Sequence, residues 1–327
     1  MLPATNRFRR IVDPRVVLRF LFVLLVTVLG ACGRPDFEEY RLGTAALGGA
    51  YYPLGQGIAN LVTQHAPGIA MVPIVTRGAI ENPRLVSGGD LELGITNADL
   101  AFFGYEGRAP YPGRLEIRAA GALHPSVLHL ITSLSTGLES FVDLRGRRIA
   151  VGPAGGTTFF LTQMLLAAHG MTLDDVVVSF LSYSDGFSQL SDGNVDAAFA
   201  LAGYPAAAVL QAGATQDLQF LRIESAVAEA IVTENPYYSI VNVPADVYDT
   251  EEDGIAFAVD NILIVNANTD ADTVYDIVAA IYDHLPELRR ANAVARQIDP
   301  TRSTALAVPL HEGARRYFES AESGSPP

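Results

Sequence analysis

Two stretches of this chain combine glycine, hydroxyl and aromatic residues in a way that suits a small anionic ligand. The first, Gly43 to Gly57, reads as a strand end, a glycine-rich turn and a helix start, with Tyr51 and Tyr52 in the turn. The second is Gly152-Pro153-Ala154-Gly155-Gly156-Thr157-Thr158. A helix start presents unpaired backbone N–H groups and the positive end of the helix dipole, which attract an anion. The N–H groups of Gly155 and Gly156 with the Thr157 hydroxyl can hold a carboxylate while the tyrosine rings close over the rest. Thr157 equally suits a helix N-cap, and the tyrosines suit ordinary half-buried packing. Two such turns facing one another make a cleft.

Four further residues stand on turns of the same kind. Arg77 can grip a carboxylate through both arms of its guanidinium, or it is a solvated surface residue. Asn82, at a helix start, bonds either a ligand or the backbone. Gly203 and Tyr204 follow a further strand. Catalytic patterns do not appear. The chain contains no lysine, which removes the phosphate-loop lysine and Schiff-base chemistry. It has no G-x-S-x-G elbow and no HExxH. The six histidines (His65, His124, His129, His169, His284 and His311) show no metal-ligand spacing. No metal and no cofactor is expected, and a Rossmann-like enzyme is the lesser alternative.

The formal net charge is −14 over 327 residues. Five of the 22 basic residues and one of the 36 acidic ones lie in the first 32 residues, so the remainder stands near −18. Such a balance disfavours a nucleic-acid partner, since phosphate binding needs a basic face. The first 32 residues read as an export signal: an arginine-rich start, the apolar run Phe20 to Leu29, then Leu29-Gly30-Ala31-Cys32. The run is short for a membrane span. Its end resembles a bacterial lipobox, which implies lipidation of Cys32; an uncleaved anchor is the other reading. Cys32 is the only cysteine, so no internal disulfide forms. Residues 33–39 read as a tether. Either reading places the globular part outside the cytoplasm, periplasmic or otherwise extracytoplasmic, and attached to a membrane.

The elements that position these residues alternate between strand and helix. Strands are expected at 40–44, 69–76, 91–96 and 115–123, then 129–133, 148–151, 176–181, 195–201, 218–223 and 261–266. Helices are expected at 50–65, after Pro83, after Asn97, at 157–169 and 185–190, after Pro205, and at 272–284, 288–297 and 312–322. This order predicts an α/β protein of two lobes, each a Rossmann-like, mostly parallel sheet, with cleft and hinge between them. Ligands bind at the carboxyl ends of such strands, where the turns named above lie. The expected division is 40–123 plus 240–327 for lobe I and 124–239 for lobe II. Pro236 to Ile240 is the expected second crossing.

Eight motifs in order resemble the TAXI family of solute-binding proteins, the receptors of one branch of TRAP transporters. They include Gly49-Ala50-Tyr51-Tyr52-Pro53-Leu54-Gly55, Gly78-Ala79-Ile80-Glu81-Asn82, Gly152-Pro153-Ala154-Gly155-Gly156-Thr157, Gly203-Tyr204-Pro205, Pro236-Tyr237-Tyr238 and Pro309-Leu310-His311-Glu312-Gly313-Ala314. The resemblance spans residues 40 to 320. It implies the two-lobed fold of periplasmic binding proteins and TRAP permease subunits as partner. The implied ligand is a small organic anion, glutamate or a related C5 acid. Gly78-Ala79 replaces the family's usual Gly-Ser, and Ala154-Gly155-Gly156-Thr157 replaces Gly-Ser-Gly-Thr, which points to altered ligand contacts. A ligand-presenting partner of a membrane sensor shares the same fold.

Overall fold

The first helix, α1 (Tyr51–His65), forms because Leu54, Ile58, Leu61 and Val62 recur on one face, and all four are buried. Pro67 and Gly68, the latter at φ 73°, end it. In the computed structural model the described residues are 37–45, 47, 50–154 and 156–323. The leader with Cys32, part of the tether, and Ala46, Gly48, Gly49 and Gly155 of the two glycine-rich turns lie outside them. No helix among the described residues is long and apolar enough to cross a membrane.

The strands are β1 (Glu38–Gly43), β2 (Ile69–Ile74), β3 (Leu93–Asn97), β4 (Ile117–Ser133), β5 (Arg148–Ala150), β6 (Val177–Ser179), β7 (Ala197–Ala202), β8 (Leu218–Phe220), β9 (Tyr238–Val243) and β10 (Gly254–Asn266). The remaining helices are α2 (Asn82–Gly88), α3 (Ala98–Glu106), α4 (Thr157–Ala168), α5 (Tyr183–Ser191), α6 (Ala207–Gly213), α7 (Ser225–Glu234), α8 (Ala271–Tyr282), α9 (Leu285–Ala291) and α10 (Glu312–Ser323). The strands join in the order β2-β1-β3-β10-β4-β7-β5-β6, with β8 on β4 and β9 on β10. The flanks are parallel, β1 to β3 and β5 to both β6 and β7. The centre is antiparallel, β3 to β10, β10 to β4 and β4 to β7. The sheet is therefore mixed, because the two long strands β4 and β10 run antiparallel at its centre.

Those two strands organise the core. On β4, Ile117, Ala119, Leu128 and Leu130 face one common core, which β10 joins through Phe257, Val259, Ile262 and Ile264. The opposite face divides. Ala120 and Leu123 of β4, with Leu263 and Val265 of β10, pack under α1, α8 and α10. Val127 and Ile131 of β4, with Ala256 and Ala258 of β10, pack under α5 and α6. The side-chain alternation of a strand makes this possible. The change from one core to the other falls at His124–Ser126 on β4 and Asp260–Asn261 on β10. There the β10–β4 pairing shifts register, between Asp260 and Ile262. The expected crossing, Pro236 to Ile240, lies next to β10 in the sheet. It leads into β9, which pairs antiparallel with Gly254–Val259 of β10.

Helix packing is closest where α10 meets α8. A Cβ on Gly313 would strike the carbonyl oxygen of Ala271 and lie 2.8 Å from the Tyr275 nitrogen. Both are backbone atoms and cannot rotate aside. Gly313→Ala is therefore expected to destabilise the protein by about 1–3 kcal/mol, although alanine is the better helix former. A lower urea midpoint at unchanged m-value checks it; an equal or higher midpoint contradicts it.

Candidate functional site

At the place where the two cores divide, polar side chains from five separate elements meet out of water. Asn261 on β10 is fully buried and lies opposite Asn97, the last residue of β3. Its carboxamide oxygen accepts from the Tyr51 hydroxyl at 2.6 Å and from Asn97 Nδ2 at 3.0 Å. Its Nδ2 donates to the carbonyl of His124 at 2.8 Å and to Ser126 Oγ at 2.9 Å. All four hydrogen-bonding positions of this amide are filled. From the far side, the Thr157 hydroxyl donates to Asn97 Oδ1 at 3.3 Å. The start of α4 is thus tied through Asn97 to both long strands. On the next residue, Thr158 Oγ1 and the Tyr183 hydroxyl are 2.7 Å apart.

Next to this network is a buried acid. Asp99, on the first turn of α3, is fully buried and accepts from the Tyr238 hydroxyl at 2.8 Å and the Leu100 N–H at 2.7 Å. Burial raises its pKa to about 6, against the lowering effect of those two donors. Its charge in turn helps push the Tyr51 and Tyr238 hydroxyls well above the usual phenol range, where burial is the main cause. No arginine hydrogen-bonds into this cluster among the described residues. Arg108 stands near Tyr237 and Tyr238, where its charge partly offsets the rise in their pKa values. His124 is buried against the Tyr51 ring, 6.5 Å between centroids, and its Nδ1 has no partner among the described residues. Burial lowers its pKa to about 4, so it is a neutral imidazole at pH 7.

The structure treats the residues singled out from the sequence unequally. Tyr51 and Thr157 enter the network. Thr157 is the first residue of α4 and Gly156 is its N-cap, with no capping side chain. The Thr157 hydroxyl is free for Asn97 because it does not cap the helix. The Gly156 N–H donates to the carbonyl of Pro153 at 3.2 Å, and Gly155 lies outside the described residues. Tyr52 sits half-buried on the first turn of α1. Gly203 faces open space. Tyr204 next to it offers its carbonyl to Gln297 Nε2 at 3.1 Å.

Two of them are placed elsewhere. Asn82 is fully buried, and its Nδ2 points at the carbonyls of Gly43, Thr44 and Ile95 at 3.2, 2.9 and 2.7 Å. Its oxygen accepts from the Thr76 hydroxyl at 2.7 Å. This amide clamps β1 to β3, with both amide hydrogens committed to backbone carbonyls. The Arg77 side chain is 88% exposed and lies beside Glu81 at 3.9 Å, an i,i+4 surface pair.

Asn97, Asp99, Asn261, Tyr238, Thr158 and Tyr183 were not singled out from the sequence. The available signal was an asparagine directly before the apolar run Ile262 to Val265 and the Asn97-Ala98-Asp99 triplet at a strand end. A polar residue adjoining a buried strand needs partners.

A surface groove of about 470 Å³ lies elsewhere, lined by Arg118, Thr269, His311, Glu312 and Arg315 among others. Arg315 there is already bound through both oxygens of Glu319. The network is the stronger candidate because it joins β3, β4 and β10 of the sheet to the starts of α1 and α4.

The profile of the NMT1-like family matches residues 42–324. This chain belongs to that family. Among solved structures, a protein of Bordetella bronchiseptica RB50 is 15% identical, with a TM-score of 0.53 over 88% of this chain and 99% of the other. A structure described as a periplasmic transporter is 15% identical, with a TM-score of 0.52 over 89% and 96%. A Streptococcus mutans structure described for glutathione import through GshT and the cystine ABC importer TcyBC is 10% identical, with a TM-score of 0.51 over 85% and 99%. At these identities the likeness is one of fold: the two-lobed α/β fold of periplasmic binding proteins.

Proposed function

We propose that this NMT1-like chain is an extracytoplasmic solute-binding protein that closes two lobes around a small organic acid and delivers it to a membrane permease. The observation that carries this reading is the chain of hydrogen bonds Thr157–Asn97–Asn261–Tyr51, which spans the split between the two cores. We assign one lobe to residues 39–123 with 261–323 and the other to 124–260, with β4 and β10 as the two crossings. Contacts such as Thr157 to Asn97 form only when the lobes meet, so they bias the molecule toward closure.

The buried Asp99 refines the choice among C5 acids. A carboxylate beside the cleft favours a ligand that brings an ammonium group together with its acid group. Glutamate therefore fits better than 2-oxoglutarate, with its acid group toward the start of α4 and its amine toward Asp99. His124 Nδ1 and the Tyr51 hydroxyl supply further hydrogen-bonding groups. The site has no nucleophile held by an organised base, which favours binding over catalysis.

The motif order favours a TRAP permease of the TAXI branch as partner, and lipidated Cys32 as the membrane tether. The likeness to a structure described for ABC import favours an ABC permease as the second reading. Purification of the chain together with its permease separates the two, because only the ABC complex contains an ATPase.

Calorimetric titration with glutamate, glutamine and 2-oxoglutarate tests the ligand. Glutamate is expected to bind tightest, and absence of heat from all three overturns the assignment. Thr157→Val keeps the shape of the side chain but removes its hydroxyl. Its loss, about 0.5–1.5 kcal/mol, is expected to weaken glutamate binding up to about tenfold with little change in Tm. Unchanged affinity would remove Thr157 from the closure contact.

A further inference from the structure

Away from this network, the last residue of α1 meets the start of α9. The His65 ring stacks on that of His284, with centroids 3.4 Å apart and planes within 8°. His284 is the N-cap of α9, and the Glu287 N–H donates to its carbonyl at 2.9 Å. Glu287 Oε1 stands 3.2 Å from His284 Nδ1 and 3.9 Å from His65 Nε2. One donor atom from each of the three residues lies within 4.8 Å of the others. His65 Nε2 is buried and has no hydrogen-bond partner among the described residues. Leu288 packs into the space that Gly57 leaves on α1, which fixes the two helices against each other.

A buried imidazole nitrogen without a partner is costly. Here it is aimed at a carboxylate oxygen that a second imidazole also approaches. Two imidazoles and a carboxylate are the donor set of zinc and its neighbours among the first-row divalent ions, with bonds of about 2.0–2.2 Å. An ion bound by both nitrogens lies in the plane of each ring. Binding therefore turns the stacked rings out of parallel and draws the Glu287 carboxylate inward, which closes the present spread. The side chains are 20%, 35% and 42% exposed for His65, His284 and Glu287, so solvent can reach the ion and fill its remaining positions. A chain of net charge −14 also favours a cation at its surface.

We propose that His65, His284 and Glu287 form a binding site for a zinc-like divalent transition-metal ion that ties the end of α1 to the start of α9. This site does not depend on the ligand cleft or on the identity of the transported solute.

Titration of the untagged, chelator-treated full chain with zinc chloride tests the proposal. One ion is expected to bind in the micromolar range or tighter and to raise Tm, whereas magnesium, which prefers oxygen ligands, leaves Tm unchanged. Glu287→Gln, at a half-exposed surface position, is expected to weaken zinc binding by about tenfold or more, and the double variant His65→Asn/His284→Asn to abolish it. Binding at one ion per chain should move the imidazole 15N resonances of His65 and His284 in the wild-type protein. No saturable binding, binding unchanged by Glu287→Gln, or zinc that leaves those resonances in place overturns the proposal. The resonance readout holds even where a variant fails to fold.

Discussion

Asn261→Leu is expected to destabilise the protein by roughly 3–5 kcal/mol, although leucine matches asparagine in size and the position is fully buried. A hydrophobic residue at a buried strand position usually helps. Here it strands four groups at once: the Tyr51 hydroxyl, Asn97 Nδ2, the His124 carbonyl and Ser126 Oγ. Each buried polar group left unpaired costs on the order of 1–3 kcal/mol, less whatever relaxation recovers. Because Asn97 also accepts from Thr157, the damage should reach the α4 side of the molecule. Urea unfolding gives the stability, and glutamate titration gives the second readout, with a larger loss of affinity than Thr157→Val. A stability loss under about 1 kcal/mol would mean that water replaces the amide readily and that the network is not a sealed unit.

Acid is expected to destabilise the protein by about 3 kcal/mol between pH 7 and pH 4 through its buried titratable groups. Two histidines drive this. His124 and His129 are both held near pKa 4 by burial, below their ordinary 6.5. A pKa lowered in the folded state gives stability that is complete above 6.5 and is lost as pH falls toward 4. Each histidine accounts for on the order of 3 kcal/mol. Asp99 acts oppositely. Its pKa is raised from 3.8 to about 6, so its stabilising contribution is present below 3.8 and lost as pH rises through 6. It returns about 3 kcal/mol on acidification and cancels one histidine.

The hydrogen bonds around His129 fix its tautomer, while burial resists a second proton against the raising effect of the Ala200 carbonyl. The Ala206 N–H donates to the Tyr248 hydroxyl at 2.6 Å, and that hydroxyl lies 2.7 Å from His129 Nε2. His129 Nδ1 lies 3.3 Å from the Ala200 carbonyl. A consistent assignment puts the imidazole proton on Nδ1 and lets Nε2 accept from Tyr248. A second proton on Nε2 would face the Tyr248 hydroxyl hydrogen and break the relay. His129→Gln is expected to flatten the pH dependence between 6.5 and 4 by about half of the histidine contribution. An unchanged slope would show that His129 does not titrate in this range.

Much of the α/β order was legible in the sequence, because helices such as α1 and strands such as β3 carry their burial in local periodicity. The long strand β4 was read as two pieces, 115–123 and 129–133, because Pro125 and Ser126 interrupt its apolar run. Those residues do not end the strand; they mark its passage from one core to the other. The first half of β10, all of β9 and helix α7 were missed for a related reason. In the first half of β10 the apolar residues are spaced by alanine and by Asp260, and only pairing with β4 and β9 settles it as strand. At the site, Tyr51 and Thr157 could be chosen because they lie in glycine-rich turns. Asn261 and Asp99 could not be ranked, since their partners lie far away in the chain. Asn82 was legible as a polar residue at a helix start, but its burial under three carbonyls was not. The pairing of His65 with His284 is invisible to any local spacing rule.

The position of β10 also bears on how the chain folds. This strand lies between β3 and β4, yet it is among the last strands made, at residues 254–266. Until it arrives, β3 and β4 lack the strand that joins them, and all three cores lack part of one wall. Contacts between residues so distant in sequence slow folding, because a long loop must close before any pairing rewards it. A nascent or incompletely exported chain that stops short of β10 therefore has little to hold it compact. Commitment to the native state comes late and involves the whole length at once.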